Sequence, residues 1–284
     1  MESKLIIDEK SCTRCGKCKE ICGSRIIDIN DDTAFPKYGE YCIECGKCVA
    51  ICPEGAIALK IYEQEELEDI VDPKITLEQL RQLVTRRRSV RHYLDKPINK
   101  KDMMKLLDIA RQAPTGGNFQ ELEYTIISDP SILEGIRNEL YNKFRLLGKF
   151  TSLLRLIQNK ENVEQAKFTL GVIERMHESG EDHLLRNAPT LVIIHTNEKR
   201  PLCEYDAAIA ATYINLAAEI LGIGMQWLGY HIVLSGVFKK IKKLSRLPKG
   251  HKVLASFLLG YKKLEFLRSC QRKPLKINYF GYQE

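Results

Sequence analysis

From Thr76 onward, apolar residues recur either at helical spacing or in short continuous runs, the pattern of mixed α and β structure. Thr76, with Gln79 three positions on, predicts a capped helix through about Arg86. Met103, Leu106, Leu107 and Ala110 share one face of a second predicted helix, from near Asn99 to Gln112. Tyr124–Ile127 reads as a short strand before the Asp129-Pro130 turn, and Leu191–His195 as an apolar strand led in by Pro189. Residues 131–187 are helix-rich and charged, with no sharper division. An Ala-rich stretch predicts a long helix over Asp206–Leu221, ended by Gly222. Ser235–Leu244 reads as another helix and Val253–Leu259 as a strand. The uncharged run Ala207–Ala218 contains Asn215 and stops at Glu219, too short to span a bilayer.

Charge divides the chain. Residues 1–61 carry ten acidic and nine basic side chains; residues 62–72 add six acidic and none basic. The rest holds 21 acidic and 35 basic residues. Residues 62–75 therefore read as an acidic linker, closed by Asp72-Pro73, between domains at 1–61 and 76–284. A length of 284 suits two domains, and 44% hydrophobic with 29% charged residues excludes a disordered or fibrous protein. The basic surplus fits an anionic ligand, nucleic acid or a membrane surface. Its densest run, Lys239, Lys240, Lys242, Lys243, Arg246 and Lys249, has Ile241 and Leu244 inward and reads as a solvated face. Neither nucleic acid nor membrane is expected as a partner. Residues 1–10 have no long apolar core and no small-residue cleavage site, so a cytoplasmic location is expected.

Eight of the ten cysteines lie between Cys12 and Cys52. Cys12, Cys15, Cys18 and Cys22 follow C-x2-C-x2-C-x3-C; Cys42, Cys45, Cys48 and Cys52 repeat it, with Pro53 next. CTRCGKCKEIC against CIECGKCVAIC is an internal duplication offset by 30 residues. A zinc ribbon needs four thiolates in two pairs, whereas two quartets suit two cubane iron–sulfur clusters. The x2 spacings let one loop wrap three corners of a cube, with Gly16 and Gly46 permitting the turns. Ile21, Ile26, Ile27, Ile51, Ile57 and Leu59 are expected to exclude water. Residues 1–61 thus resemble the bacterial ferredoxin domain with two 4Fe-4S clusters. That resemblance implies Cys12, Cys15, Cys18 and Cys52 around one cluster, and Cys42, Cys45, Cys48 and Cys22 around the other. Gly23 departs from the family's usual proline. Cys203 and Cys270 have no spaced partner and read as free thiols.

The C-terminal part has no Rossmann fingerprint, His-Glu-x-x-His or nucleophile elbow. It does carry Arg87-Arg88-Ser89-Val90-Arg91 at a predicted helix end, a plausible clamp for a phosphate dianion. Ala113-Pro114-Thr115-Gly116-Gly117-Asn118-Phe119-Gln120 follows the second helix. Leu221–Gly229, with Trp227-Leu228-Gly229, follows the long one, and Arg272-Lys273-Pro274-Leu275 lies near the end. In this order the segments resemble the nitroreductase family of FMN-dependent oxidoreductases over about 76–284. The resemblance implies Arg87, Ser89 and Arg91 on the FMN phosphate and ribityl chain, and Arg272 closing on the phosphate. It implies Pro114, Thr115, Gly116 and Asn118 as a loop reaching the flavin of a partner subunit, hence a homodimer. Trp227, Leu228 and Gly229 would run beside the isoalloxazine. Thr115-Gly116 replaces two serines, and Glu121-Leu122 replaces Pro-Trp after Gln120. His195, ending an apolar strand, and His231, after the Trp227–Gly229 segment, could approach substrate but read first as structural histidines.

The expected fold class is α+β: a small ferredoxin-like two-cluster domain, then a nitroreductase-like α/β sandwich. The expected activity is that of an iron–sulfur flavoprotein oxidoreductase. Electrons from a low-potential donor, ferredoxin-type or NAD(P)H, would pass through two 4Fe-4S clusters to FMN. An organic acceptor such as a nitroaromatic, quinone or activated alkene would take them up. No protein nucleophile is needed, because the flavin carries the difficult chemistry. The alternative is an electron carrier whose C-terminal domain is not catalytic.

Overall fold

The computed structural model describes residues 4–62, 68–149 and 160–281. Residues 63–67 of the expected acidic linker, and 150–159 of the helix-rich region, lie outside these. The chain divides into two compact units. One comprises residues 1–74 with Thr115–Gln120; the other comprises Ile75–Pro114 and Glu121–Glu284.

In the first unit, β1 (Leu5–Ile7) pairs antiparallel with β4 (Ile57–Leu59), and β2 (Ile27–Ile29) with β3 (Ala34–Pro36). Two five-residue helices, α1 (Lys17–Ile21) and α2 (Lys47–Ile51), occupy equivalent places in the duplicated sequence. Each opens at a glycine with left-handed backbone, Gly16 at φ 82° and Gly46 at φ 71°, where a side chain would be strained. Leu5, Ile26, Ile27, Ala34, Ile57 and Leu59 form the core with Cys18 and Cys48. Ile21 and Ile51, expected to shield the clusters, are 38% and 37% exposed. So small a unit cannot enclose the far side of its two helices.

The second unit is a four-stranded antiparallel sheet between helical layers, in the order β5 (Glu123–Ile127), β6 (Thr190–Thr196), β8 (Lys252–Tyr261), β7 (Ile223–Trp227). Both faces of β6 are buried, so its centre, Leu191–Ile194, is an unbroken apolar run whose alternate side chains enter different cores. Val192 and Ile194 pack with α4 (Lys100–Arg111) and α7 (Cys203–Ile220). Leu191 and Ile193 share a cluster with residues of α5 (Pro130–Gly148), α6 (Lys160–Glu178), α8 (Gly229–Val237) and α9 (Lys239–Leu244). Ala207, Ala210, Ala211 and Ala218 are fully buried on α7, where small side chains let the helix lie close to the sheet.

The remaining helix, α3 (Leu77–Arg86), starts with the expected capping box between Thr76 and Gln79. Asn99 caps α4, and Asp129 caps α5 ahead of Pro130. Two readings need correction. The helix expected over Ser235–Leu244 is two helices, because Phe238 takes extended backbone (φ −108°, ψ 103°) and breaks the run. The segment Ile223–Trp227, noted only as following a helix, is the edge strand β7.

Candidate functional site

The eight clustered cysteines surround two cavities. Cys12, Cys15 and Cys18 share one with Cys52, walled by Ala34, Ala56 and Ile57. Cys42, Cys45 and Cys48 share the other, of about 150 Å³, with Cys22. Cys22 and Cys52 reach across because each is the extended residue that ends α1 or α2. Backbone amides point at sulfur: Ala34 N to Cys12 Sγ at 3.5 Å, Glu44 N to Cys42 Sγ at 3.4 Å and Ala56 N to Cys52 Sγ at 3.3 Å. Such donors stabilise thiolate charge. Burial acts the other way, raising the Cys18 and Cys42 thiols and pushing Cys48 up to about 11. Thiols this reluctant to ionise alone do so on a cation, so four sulfurs around one cavity with amide support fit an iron–sulfur cluster.

In the second unit the Arg87–Arg91 segment runs beside β7. Ser89 bridges Met225 in parallel register, and Val90 N donates to Met225 O at 3.1 Å. Val90 packs against Gly224, where a Cβ would meet its side chain at 2.4 Å. From above, Arg86 Nε holds Glu219 Oε1 at 3.0 Å, and the buried Lys262 Nζ binds the same oxygen at 2.7 Å. Glu219 thereby fixes the end of α3, one residue before Arg87. β7 continues into the half-exposed Trp227, the buried Leu228, whose N donates to Ser256 O at 2.7 Å, and Gly229, the first residue of α8. Arg87, Ser89, Arg91, Trp227, Leu228 and Gly229 are therefore gathered by one strand. Pro114 is exposed just after α4, and Arg272 is exposed on the irregular segment after β8.

Arg186 is a candidate site residue that sequence reasoning missed. Its backbone is left-handed (φ 56°), and its Nη2 lies 3.3 Å from His183 Nε2. Its Nε is shielded from solvent with no partner among the described residues. Burial first, then the nearby positive charge of Arg91, lower its pKa from the ordinary guanidinium value. Two guanidiniums that repel each other, one with an orphaned donor, are suited to holding an anion. On β7, Gln226 Oε1 is likewise a shielded acceptor with no partner among the described residues. No local motif marks Arg186: the chain brings it to Arg91 only through the fold.

Thr115, Gly116 and Asn118 fall in the first unit. Asn118, at φ 57°, donates from Nδ2 to Ile43 O at 3.1 Å and Glu44 O at 2.9 Å, in the loop between Cys42 and Cys45. Thr115 Oγ1 accepts from Gln120 N at 3.1 Å, and Gln120 Nε2 donates to Tyr62 Oη at 2.8 Å. Of the residues expected at a flavin, Asn118 is, within this chain, a support of the loop between Cys42 and Cys45. His231 is fully buried; Nε2 lies 2.8 Å from Ser245 Oγ, and burial lowers its pKa to about 4, which suits a neutral structural imidazole.

The nitroreductase family model matches residues 84–261, and a 4Fe-4S dicluster domain matches residues 11–57. The chain belongs to the nitroreductase family. An Archaeoglobus fulgidus protein described as an NADH dehydrogenase/NAD(P)H nitroreductase is 25% identical over 194 residues, 66% of this chain and 88% of that protein. A nitroreductase from Bacteroides fragilis, solved with bound FMN, has 23% identity and a TM-score of 0.55, covering 71% of this chain and 98% of its own. One from Desulfitobacterium hafniense, also with FMN, has 21% identity and a TM-score of 0.52, covering 72% of this chain and all of its own. Likeness at this level establishes the nitroreductase fold of the second unit. This nitroreductase-family oxidoreductase thus carries a 4Fe-4S domain ahead of that fold. No helix among the described residues is long and apolar enough to cross a membrane.

Proposed function

We propose that this nitroreductase-family protein is an iron–sulfur flavoprotein holding two 4Fe-4S clusters and one FMN per chain. Electrons from a low-potential donor would enter at the clusters and leave from the flavin to an organic acceptor: a nitroaromatic, a quinone or an activated alkene. The observation that carries this is the repelling pair Arg91 and Arg186, with its orphaned Nε, beside the strand that gathers Arg87, Ser89 and Trp227–Gly229.

The protein's own contribution is binding and electrostatics. Arg87, Ser89, Arg91 and Arg186 would hold the phosphate, with Arg272 closing over it. Trp227, Leu228 and the Gly229 amide would flank the ring, and Gln226 would offer it an acceptor. Bound FMN supplies two-electron chemistry, whereas iron–sulfur clusters pass electrons singly. Positive charge near the flavin favours its anionic reduced form. The Cys12, Cys15, Cys18, Cys52 and Cys42, Cys45, Cys48, Cys22 sets would each hold one cluster. A cytoplasmic homodimer is the assembly this reading favours, two-fold closure being the commonest arrangement.

Heat release of the cofactors tests the reading. Expected are one FMN and about eight iron and eight acid-labile sulfide per chain. Iron and sulfide without flavin would overturn the flavoprotein assignment, and light scattering of a flavin-saturated monomer would remove the dimer.

A further inference from the structure

Three side chains of the second unit converge where β5 begins, β6 ends and β8 begins. Glu123 and His195 are cross-strand partners, and the β6–β8 register shifts between Ile194 and His195. Such a bulge re-aims the side chain it carries. His251 precedes β8 on a turn that includes Gly250 at φ 92°. The Nδ1 atoms of His195 and His251 lie 2.8 Å apart, with both rings buried. On the outer sides, Thr125 Oγ1 is 2.8 Å from His195 Nε2, and Glu123 Oε1 is 3.8 Å from His251 Nε2. Glu123, His195 and His251 each offer one ligand atom, all within 4.8 Å of one another.

Two Nδ1 atoms 2.8 Å apart need either a proton on one of them or a cation held by both. A proton leaves Glu123 only the outer contact with His251 Nε2 at 3.8 Å. A divalent ion uses all three groups. Zinc bonded at about 2.0–2.1 Å in tetrahedral geometry needs its ligand nitrogens about 3.3 Å apart, half an ångström wider than here. The turn before β8 can widen that gap, and the exposed Glu123 side chain can swing from the outer nitrogen of His251 to the ion. Lys242 donates to the His251 carbonyl at 3.3 Å and not to its ring. Imidazole with carboxylate suits zinc or nickel better than calcium or magnesium.

We propose that Glu123, His195 and His251 bind one divalent transition-metal ion of the zinc type, tying together the ends of β5, β6 and β8. None of the three belongs to either cofactor site, so the inference stands apart from the flavoprotein reading.

The test uses the full chain with its iron–sulfur centres intact, washed with a mild chelator and titrated calorimetrically with zinc chloride. Zinc-edge X-ray absorption reports the ligands. Wild type should take up one zinc with a nitrogen and oxygen shell at about 2.0–2.1 Å, and its Tm should rise with zinc. His251→Gln should bind about 100-fold more weakly and lose the Tm response. Glu123→Gln, a surface change that leaves folding intact, should weaken binding about tenfold. Flavin and iron content should be the same in all three proteins. A sulfur shell near 2.3 Å, which would place the zinc on cysteine, overturns the proposal. So does equal zinc affinity in wild type and Glu123→Gln, or no binding at micromolar zinc.

Discussion

Gly224 has no room for a methyl group. Gly224→Ala would drive a Cβ to 2.4 Å from Val90 Cγ2, so the Arg87–Arg91 segment must move off β7. Overpacking of this kind costs about 1–3 kcal/mol, and purified variant should show a lower Tm together with reduced flavin content. Arg186→Ala should be gentler on the fold and harsher on the ligand. Loss of one charge-assisted hydrogen bond, worth about 1.5–3 kcal/mol, lowers flavin affinity by one to two decades at unchanged iron content. Fluorescence titration of the flavin-free protein measures it. His231 sets a pH dependence. Its folded pKa of about 4 lies below the ordinary 6.5, so the unfolded chain binds a proton that the folded chain refuses. Stability should therefore fall as pH drops from about 6.5 to 4, by at most about 1.4 kcal/mol per unit from this group. His231→Asn should flatten that part of the urea-unfolding profile; an unaltered slope would assign it elsewhere. At this scale the cysteine spacing is legible because four cysteines lie within eleven residues, and the run occurs twice. Arg186 is not, since its partner Arg91 is distant in sequence and only packing brings the charges together.

Elements were legible where the chain marks its own ends. The Thr76–Gln79 capping box, the Asn99 cap and the Asp129-Pro130 start are local chemistry, and the helices begin there. β6 was legible because burial on both faces requires an unbroken apolar run. The break at Phe238 was not, since no proline marks it and Gly236, two residues earlier, still lies within α8: the apolar positions of α8 and α9 continue in phase while the backbone turns. β7 was hidden for another reason. Its Gly224 is chosen for the close approach of Val90, which removes the strand-like residue that the pattern would need. Between elements, Glu219 ties α7 to β8 through Lys262 and to α3 through Arg86. Glu219→Ala leaves a buried lysine with Glu265 at 3.6 Å as its remaining carboxylate among the described residues, and breaking such a pair costs about 3–5 kcal/mol. A large fall in unfolding midpoint is expected, with flavin affinity falling too because α3 no longer presents Arg87. Unchanged stability would mean that Glu265 replaces Glu219 fully.

For the whole molecule, a linear division of the sequence at the acidic stretch misses one segment. Thr115–Gln120 lies in sequence between α4 and β5, yet it groups with the first unit through Asn118 and Gln120. No composition or periodicity could show this, because a six-residue excursion carries no pattern of its own. Asn118→Ala should therefore disturb the cysteine loop between Cys42 and Cys45. The expected result is a shifted cluster reduction potential and faster loss of iron in air, with the other cluster's signals unchanged in electron paramagnetic resonance. Identical potentials in wild type and variant would reduce Asn118 to a turn residue.

The central claim is that the iron–sulfur unit feeds the flavin. The most direct measurement is anaerobic stopped-flow reduction by a low-potential ferredoxin-type donor, in wild type and in Cys42→Ala, with flavin absorbance as the readout. The variant loses one ligand of the cavity that Cys22, Cys45 and Cys48 also line. It should keep its flavin and accept electrons normally under direct photoreduction, but its reduction by the donor should slow by orders of magnitude. Equal rates in the two proteins would contradict the account, leaving the N-terminal unit an attachment with no part in electron transfer.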